Sequence, residues 1–199
     1  MLEKIKQVEQ IFKRVEKKVT TLQKGTGLTC QTGCNLCCLK PDLEANVLEF
    51  LPLAYYLVQT NQYEAALEKI ESGQTLCINL KTLRLSETEN GCSNYAYRGL
   101  ICRLFGSSAV KDKNNQLQPY LCKIQKEVYA EKLSGITAEI NRKPIAPVVS
   151  DYYYELQAID PYLANDYNPI NQSILKAISL VAYWYSNRPK RKRSIPQAG

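Results

Sequence analysis

Four cysteines fall within nine residues of this chain, in the run Cys30-Gln-Thr-Gly-Cys34-Asn-Leu-Cys37-Cys38, and four more follow at Cys77, Cys92, Cys102 and Cys122. No other feature constrains the fold as strongly. Thiolates gathered this closely repel one another and are costly to bury unpaired. A divalent cation or an iron–sulfur core offsets that charge and fixes the turn. Gly33 and Asn35 suit the tight turns such a ligand requires. The chain has no histidine, so a soft-metal site must draw on thiolates, with carboxylate or water to complete it. Zinc accepts four thiolates tetrahedrally at about 2.3 Å. Iron–sulfur clusters accept the same ligand set, so spacing alone leaves zinc and iron both open.

The meaning of eight cysteines also depends on compartment. Met1 to Lys24 carries charge throughout and lacks the apolar stretch of a secretory signal. No segment approaches the roughly 20 apolar residues that span a bilayer. The best candidate, Leu175 to Tyr185, is short and contains Lys176 and Ser179. The expectation is a cytoplasmic protein with no membrane span, whose cysteines hold metal rather than disulfides. Cys37 and Cys38 are adjacent, and successive side chains diverge in helices and strands alike. One composite site with spare thiols and two four-thiolate sites both remain open. Burial as small hydrophobes competes with ligation for Cys77 and Cys122.

Around the cysteines the pattern predicts a mostly α protein. At 199 residues with 45% hydrophobic and 23% charged residues, the chain suits one soluble domain with one core. Leu2, Ile5, Val8, Ile11, Phe12, Val15, Val19 and Leu22 recur every three or four residues, which predicts an amphipathic helix ended by Gly25 and Gly27. A second helical stretch is expected from Pro41-Asp42 through Val47 to Val58, kinked or interrupted at Pro52. Further helices are expected over Gln62 to Glu71, from Cys122 to about Leu133, over Val148 to Leu163 and over Ile170 to Tyr185. Ser86 to Gly91 and Lys111 to Gln118 read as polar loops. The resulting expectation is a single metal-stapled helical domain over 1–187. Its cysteine-rich loops, within 29–123, pack between the N-terminal helix and a C-terminal helical pair over 148–187. A basic, disordered tail follows over 188–199. Loss of metal should unfold the middle of the chain, because site formation and folding are coupled.

The run from Cys30 through Gly33, Cys34, Cys37 and Cys38, then Cys77, then Cys92-Ser-Asn-Tyr95-x-x-Arg98-x-x-x-Cys102-Arg103-x-Phe105, then Cys122, resembles the YkgJ-type cysteine-cluster family. That bacterial family is described as zinc- or iron-chelating, and a related cluster occurs in flagellin lysine-N-methylases. The resemblance covers roughly Thr29 to Lys123 and implies metal binding by Cys30, Cys34, Cys37, Cys38, Cys77, Cys92, Cys102 and Cys122. It implies no particular reaction. Arg98 and Arg103 fit beside such a site, since a divalent ion with four thiolates carries a formal charge of about −2 that a guanidinium stabilises. Ordinary surface roles for both arginines are the alternative. The family favours proline where this chain has Gly99 and Gly106, which predicts a looser local backbone.

Three functional classes follow. The chain is a metal-binding module with a structural or stored ion, an iron–sulfur enzyme or redox protein, or a helical adaptor that binds a protein partner through its C-terminal helices. The spacing Cys30-x3-Cys34-x2-Cys37 also matches radical S-adenosylmethionine enzymes, but those need a barrel of repeated strand–helix units that the pattern lacks. Hydrolytic triads built on imidazole are excluded. Net charge is +7, with Arg188, Lys190, Arg191, Lys192 and Arg193 clustered at the tail. The run lacks interleaved aromatics, so nucleic-acid binding is not expected. Tyr152, Tyr153 and Tyr154 cannot share one helix face, so at least one should be exposed.

Overall fold

The helical periodicity at the N-terminus is realised as α1 (Leu2–Thr26), which buries Ile5, Val8, Ile11, Phe12, Val15 and Leu22. Gly27 closes it in the left-handed conformation, φ 70°, with its N–H donating to the Gln23 carbonyl. Gly25 is therefore inside the helix, where it packs against Ile145 so closely that a Cβ would lie 2.8 Å from Ile145 Cδ1. The computed structural model describes residues 1–30, 33–81 and 91–188. The expected basic tail, apart from Arg188, and most of the expected loop at Ser86 to Gly91 lie outside those residues.

Beyond α1 the order is β1 (Glu44–Asn46), α2 (Leu51–Gln59), α3 (Tyr63–Glu71), α4 (Leu100–Leu104), β2 (Ser108–Lys111), β3 (Leu117–Tyr120), α5 (Lys123–Val128), α6 (Leu133–Arg142), α7 (Val149–Ile159), α8 (Pro161–Asn165), β4 (Tyr167–Pro169) and α9 (Ile170–Asn187). The protein is mostly helical, as the sequence pattern predicts. None of its described helices is long and apolar enough to cross a membrane.

Several boundaries differ from expectation, each for a local reason. The stretch before Val58 is not one kinked helix. Residues 44–46 are extended and pair antiparallel with β4, Ala45 opposite Asn168. Pro52 sits in the first turn of α2, where its missing N–H has no partner to lose. The polar segment at Lys111–Gln118 is the tip of a β2–β3 hairpin. Asp112 accepts the backbone N–H groups of Asn114 and Gln116 there, and Asn115 takes φ 64°. The helix expected from Cys122 to Leu133 ends at Val128, and α6 follows it unforeseen. The helix expected over Val148–Leu163 breaks at Asp160, which caps α8 through the N–H groups of Tyr162 and Leu163. Of the three consecutive tyrosines, Tyr152 and Tyr153 pack on the core and Tyr154 is 67% exposed.

Two apolar clusters result. The larger joins α1, α2, α4 and α9 through Val8, Val15, Leu51, Leu53, Leu100, Leu104, Ile174 and Ile178, all essentially inaccessible. The smaller gathers Leu22, Leu28, Ala109, Leu121, Ile136, Ile140 and Ala146. Helix α1 contributes to both, with Ile5 to Val15 in the first and Leu22 in the second.

Candidate metal centre

The cysteines sit on short turns rather than within long elements. Cys37 and Cys38 lie on a 3-10 turn, Leu36–Leu39, anchored by the Cys38 N–H donating to the Asn35 carbonyl at 2.8 Å. Cys102 is on α4, and Cys122 is the N-cap of α5. Five-residue α4 cannot hold itself in water, so other side chains fix these segments.

Each segment has its own polar tie. On α9, Asn171 is 6% exposed and spends its amide on the backbone flanking Cys77. Its Oδ1 accepts the Ile78 N–H at 3.0 Å, and its Nδ2 donates to the Gln74 and Leu76 carbonyls at 2.8 and 2.9 Å. The Cys77 turn then carries the Cys92 segment. Leu80 bridges Cys92, the Ser93 N–H donates to the Asn79 carbonyl at 2.8 Å, and Asn94 Nδ2 donates to Asn79 Oδ1 at 2.8 Å. Gly91 brings that segment against the first cysteine run, since a Cβ on it would sit 2.3 Å from Asn35 Cβ.

Cys102 is set by Glu49, a fully buried carboxylate. Asn46 and Glu49 form a reciprocal box in which each side chain accepts the other's backbone N–H at 3.0 Å. The second Glu49 oxygen accepts the Ile101 N–H at 2.8 Å, capping α4. Gly99 lets this happen, because a Cβ there would meet Glu49 Oε2 at 2.7 Å. Burial pushes the Glu49 carboxyl up to about 7 despite those N–H groups.

Cys122 is tied by Gln125, whose Oε1 accepts the Cys122 N–H and whose backbone N–H donates to Cys122 Sγ at 3.4 Å. Gln125 Nε2 reaches the Gly106 carbonyl at 2.8 Å and the Thr29 carbonyl at 3.4 Å, beside Cys30. Gly106 has φ 74°, a conformation closed to proline, and its N–H donates to the Tyr120 carbonyl. Both glycines are sites of close approach, Gly99 against Glu49 and Gly106 against Gln125.

The thiols feel one another. The Cys38 S–H donates to Cys37, which lowers the Cys37 thiol to about 6 and drives Cys38 far above its usual value. Charge on Cys37 also acts on Cys30, Cys77, Cys92 and Cys102. Burial raises Cys77 to about 11 and raises Cys92 and Cys102 as well. Cys30 is raised to about 11 by partial burial of its sulfur and then by Cys34. All eight thiols are free of disulfides. Among the described residues, no three cysteine, aspartate or glutamate side chains stand close enough, as they lie, to hold one ion.

The two arginines differ. Arg98 lies over the Tyr95 ring at 3.9 Å, and its charge favours the thiolates of Cys37 and Cys92. Its Nε is buried and has no acceptor. Arg103 is 3% exposed and committed elsewhere. Its Nε donates to the Arg98 carbonyl at 3.0 Å, another nitrogen to the Ala96 carbonyl at 2.7 Å and a third to Glu16, while the guanidinium covers Phe12. It fastens the Ala96–Arg98 turn to α1.

Sequence reasoning missed Glu49, Asn171 and Gln125. The Asn46-x-x-Glu49 spacing is a capping-box signal that could have found the first. Single amides such as Asn171 and Gln125 leave no periodic trace.

Neither a curated protein nor a solved structure matches the chain. A family does match over residues 29–126, which include every cysteine, and its description reads "Putative zinc- or iron-chelating domain". That match, over just under half of the chain, agrees with the cysteine-cluster resemblance carried by the cysteine spacing.

Proposed function

We propose that the protein binds zinc or iron through thiolates gathered around the Cys37–Cys38 pair, and that the ion is held as a structural or stored metal. The observation that carries this reading is the position of Cys37. Its charge interacts with cysteines from the Cys30, Cys77, Cys92 and Cys102 segments, and its sulfur shares a hydrogen bond with Cys38 that a shared cation would replace. The donor set suits a soft ion, since it is all sulfur. The buried Nε of Arg98, without an acceptor beside Cys37 and Cys92, supports an anionic neighbour richer in charge than neutral thiols. When bound, the metal supplies the positive charge that lets several thiolates share one buried space. Asn171, the Asn79–Asn94 pair and Glu49 would hold Cys77, Cys92 and Cys102 in register for it. Arg103 acts one step further out, through the Arg98 carbonyl. Residues 1–187 serve as one domain in this reading, because α1 lines both apolar clusters.

Anaerobic purification with elemental analysis and an absorption spectrum tests the proposal. Near-stoichiometric zinc or iron in a colourless protein supports it as stated. Iron with acid-labile sulfide and a brown colour assigns the thiolates to an iron–sulfur cluster. A folded protein with neither metal, before or after reconstitution, refutes it.

A further inference from the structure

Charge is unevenly placed along the chain. No aspartate or glutamate follows Asp166, whereas Lys176, Arg188, Lys190, Arg191, Lys192 and Arg193 all do, so nearly the whole net charge of +7 comes from residues 167–199. Lys176 is held by Asp166 at 2.8 Å. The other cations stand at the end of α9 or after it in sequence. The last turns of that helix leave apolar groups in solvent. Leu180 is 38% exposed, and Tyr183, one turn on along the same face, is 74% exposed. Next to it in sequence, Trp184 is half-buried, its ring 6.4 Å from that of Tyr55 and 6.3 Å from that of Tyr185. The Arg188 guanidinium lies 3.5 Å over the Tyr185 ring. Helix α2, which packs along α9, has no charged residue. Helix α3, which also touches α9, carries Glu64, Glu68 and Glu71.

We propose that the C-terminal end of α9, with the basic run after it, docks the protein reversibly on the surface of an anionic phospholipid bilayer. Leu180 and Tyr183 enter the interface, and the cations meet the headgroup phosphates. The inference stands apart from metal binding. Tyrosine and tryptophan rings favour the membrane–water interface, where one end of the ring is apolar and the other wet. Each Lys or Arg near an anionic leaflet strengthens binding about fivefold. Two exposed apolar side chains are too few to anchor a protein, and a polybasic run alone is released by salt. The two signals together give attachment that neither gives by itself. The same arrangement favours lipid over nucleic acid. Single strands are held where rings and cations interleave, so that bases stack. Here the apolar groups and the cations occupy successive zones, and Leu180 offers a base no flat ring. Glu64, Glu68 and Glu71 set the orientation, because α3 must turn away from an anionic surface.

Flotation of the full-length protein with lipid vesicles is the test. Vesicles of equal parts phosphatidylglycerol and phosphatidylcholine should carry it upward at low salt, vesicles of phosphatidylcholine alone should not, and about 0.5 M salt should release it. Trp184 is the sole tryptophan, so its emission should shift to the blue on the anionic vesicles. The R188Q/K190Q/R191Q/K192Q/R193Q variant should lose binding. The L180S/Y183S variant should bind about tenfold more weakly, and Tyr183→Ser alone should move the same way, all with unchanged helical circular dichroism. Absence of the protein from the anionic vesicle fraction would overturn the proposal. So would equal flotation of L180S/Y183S and wild type, which would leave charge alone as the cause. Tighter binding to a single-stranded oligouridylate than to the anionic vesicles would overturn it in favour of nucleic acid.

Discussion

The α2–α9 pair and the cysteine-bearing turns are held by different forces. Leu51, Leu53 and Leu57 meet Ile174, Ala177, Ile178 and Val181 in a dry interface that depends on area and shape. Each such large side chain contributes about 1.5–3 kcal/mol by leaving water. The turns at Cys77, Cys92 and Cys102 put only a few side chains into the core, Ile78, Leu100 and Leu104 among them. They are pinned by single polar groups, namely Asn171, Asn79 and Glu49. Area is divisible and tolerant of small change, whereas a pinned turn fails when its one tie fails. A scaffold of the first kind can therefore persist while the second kind rearranges around a ligand.

The comparison can be broken at its strong side first. Ile178→Ala, at a fully buried position of α9, should cost about 3–4 kcal/mol of global stability in denaturant melts. Its effect should spread over the whole molecule, with metal content per folded protein unchanged. If metal is lost in step with stability, the two regions are one cooperative unit.

Chelation of the metal-loaded protein attacks the other side. Amide exchange over residues 33–42 and 91–104 should accelerate by about a hundredfold, or some 2.7 kcal/mol, while Ile174–Val181 of α9 changes little. Equal acceleration in both places would show that the ion staples the entire fold.

Asn171→Ala sharpens the boundary, because that residue belongs to the scaffold by position and to the turns by function. Leaving the Ile78 N–H buried and unpaired should cost about 2 kcal/mol. The Cys77 thiol, raised to about 11 and buried, should then alkylate much faster at pH 8. Loss of stability with Cys77 still protected would reduce Asn171 to ordinary packing.

The smallest effect is a pH slope. Glu49 holds its proton to about pH 7 in the folded chain, while an unfolded glutamate ionises near 4.3. Its contribution is complete below the unfolded value and is lost as pH rises toward 7. Apo-protein stability should fall by about 1.5 kcal/mol between pH 4.5 and 6 on this account. The Cys37 thiol, lowered to about 6, and the lowered carboxyls of Asp112, Glu139, Asp160 and Asp166 work in the opposite sense, so the difference between wild type and Glu49→Gln isolates Glu49. Urea melts of Glu49→Gln should be flatter over that window, and an unchanged slope would assign it to another group.

The same contrast explains what was legible in the sequence. Ile5, Val8, Ile11 and Val15 announce α1 because burial on one helical face leaves a 3.6-residue rhythm. Ile174, Ala177, Ile178 and Val181 do the same for α9. The cysteine positions are legible from residue type alone. Their placement is not, because it depends on pairings between distant residues. Strand β1 is three residues long and takes its extended form from Tyr167–Pro169, more than 120 positions away. Helix α6 buries only Ile136 and Ile140, too few to outweigh Ser134 and Gly135 in the pattern. The β2–β3 hairpin is hidden because its tip is polar and its register depends on Asp112 turning back on itself.

That β1–β4 pairing, with Ser173 Oγ donating to the Ala45 carbonyl at 2.7 Å, has a consequence for biosynthesis. The last cysteine, Cys122, leaves the ribosome well before Ile170 begins α9. At roughly 5–20 residues per second, every thiol spends several seconds in a nascent chain that lacks the Asn171 clamp and the closing strand. During that interval Cys77 has nothing to shield it, and oxidation or capture by a stray ion competes with proper closure. Late synthesis of the latch makes this protein most vulnerable before it is finished, so cells short of reductant should accumulate mispaired precursors rather than damaged mature molecules.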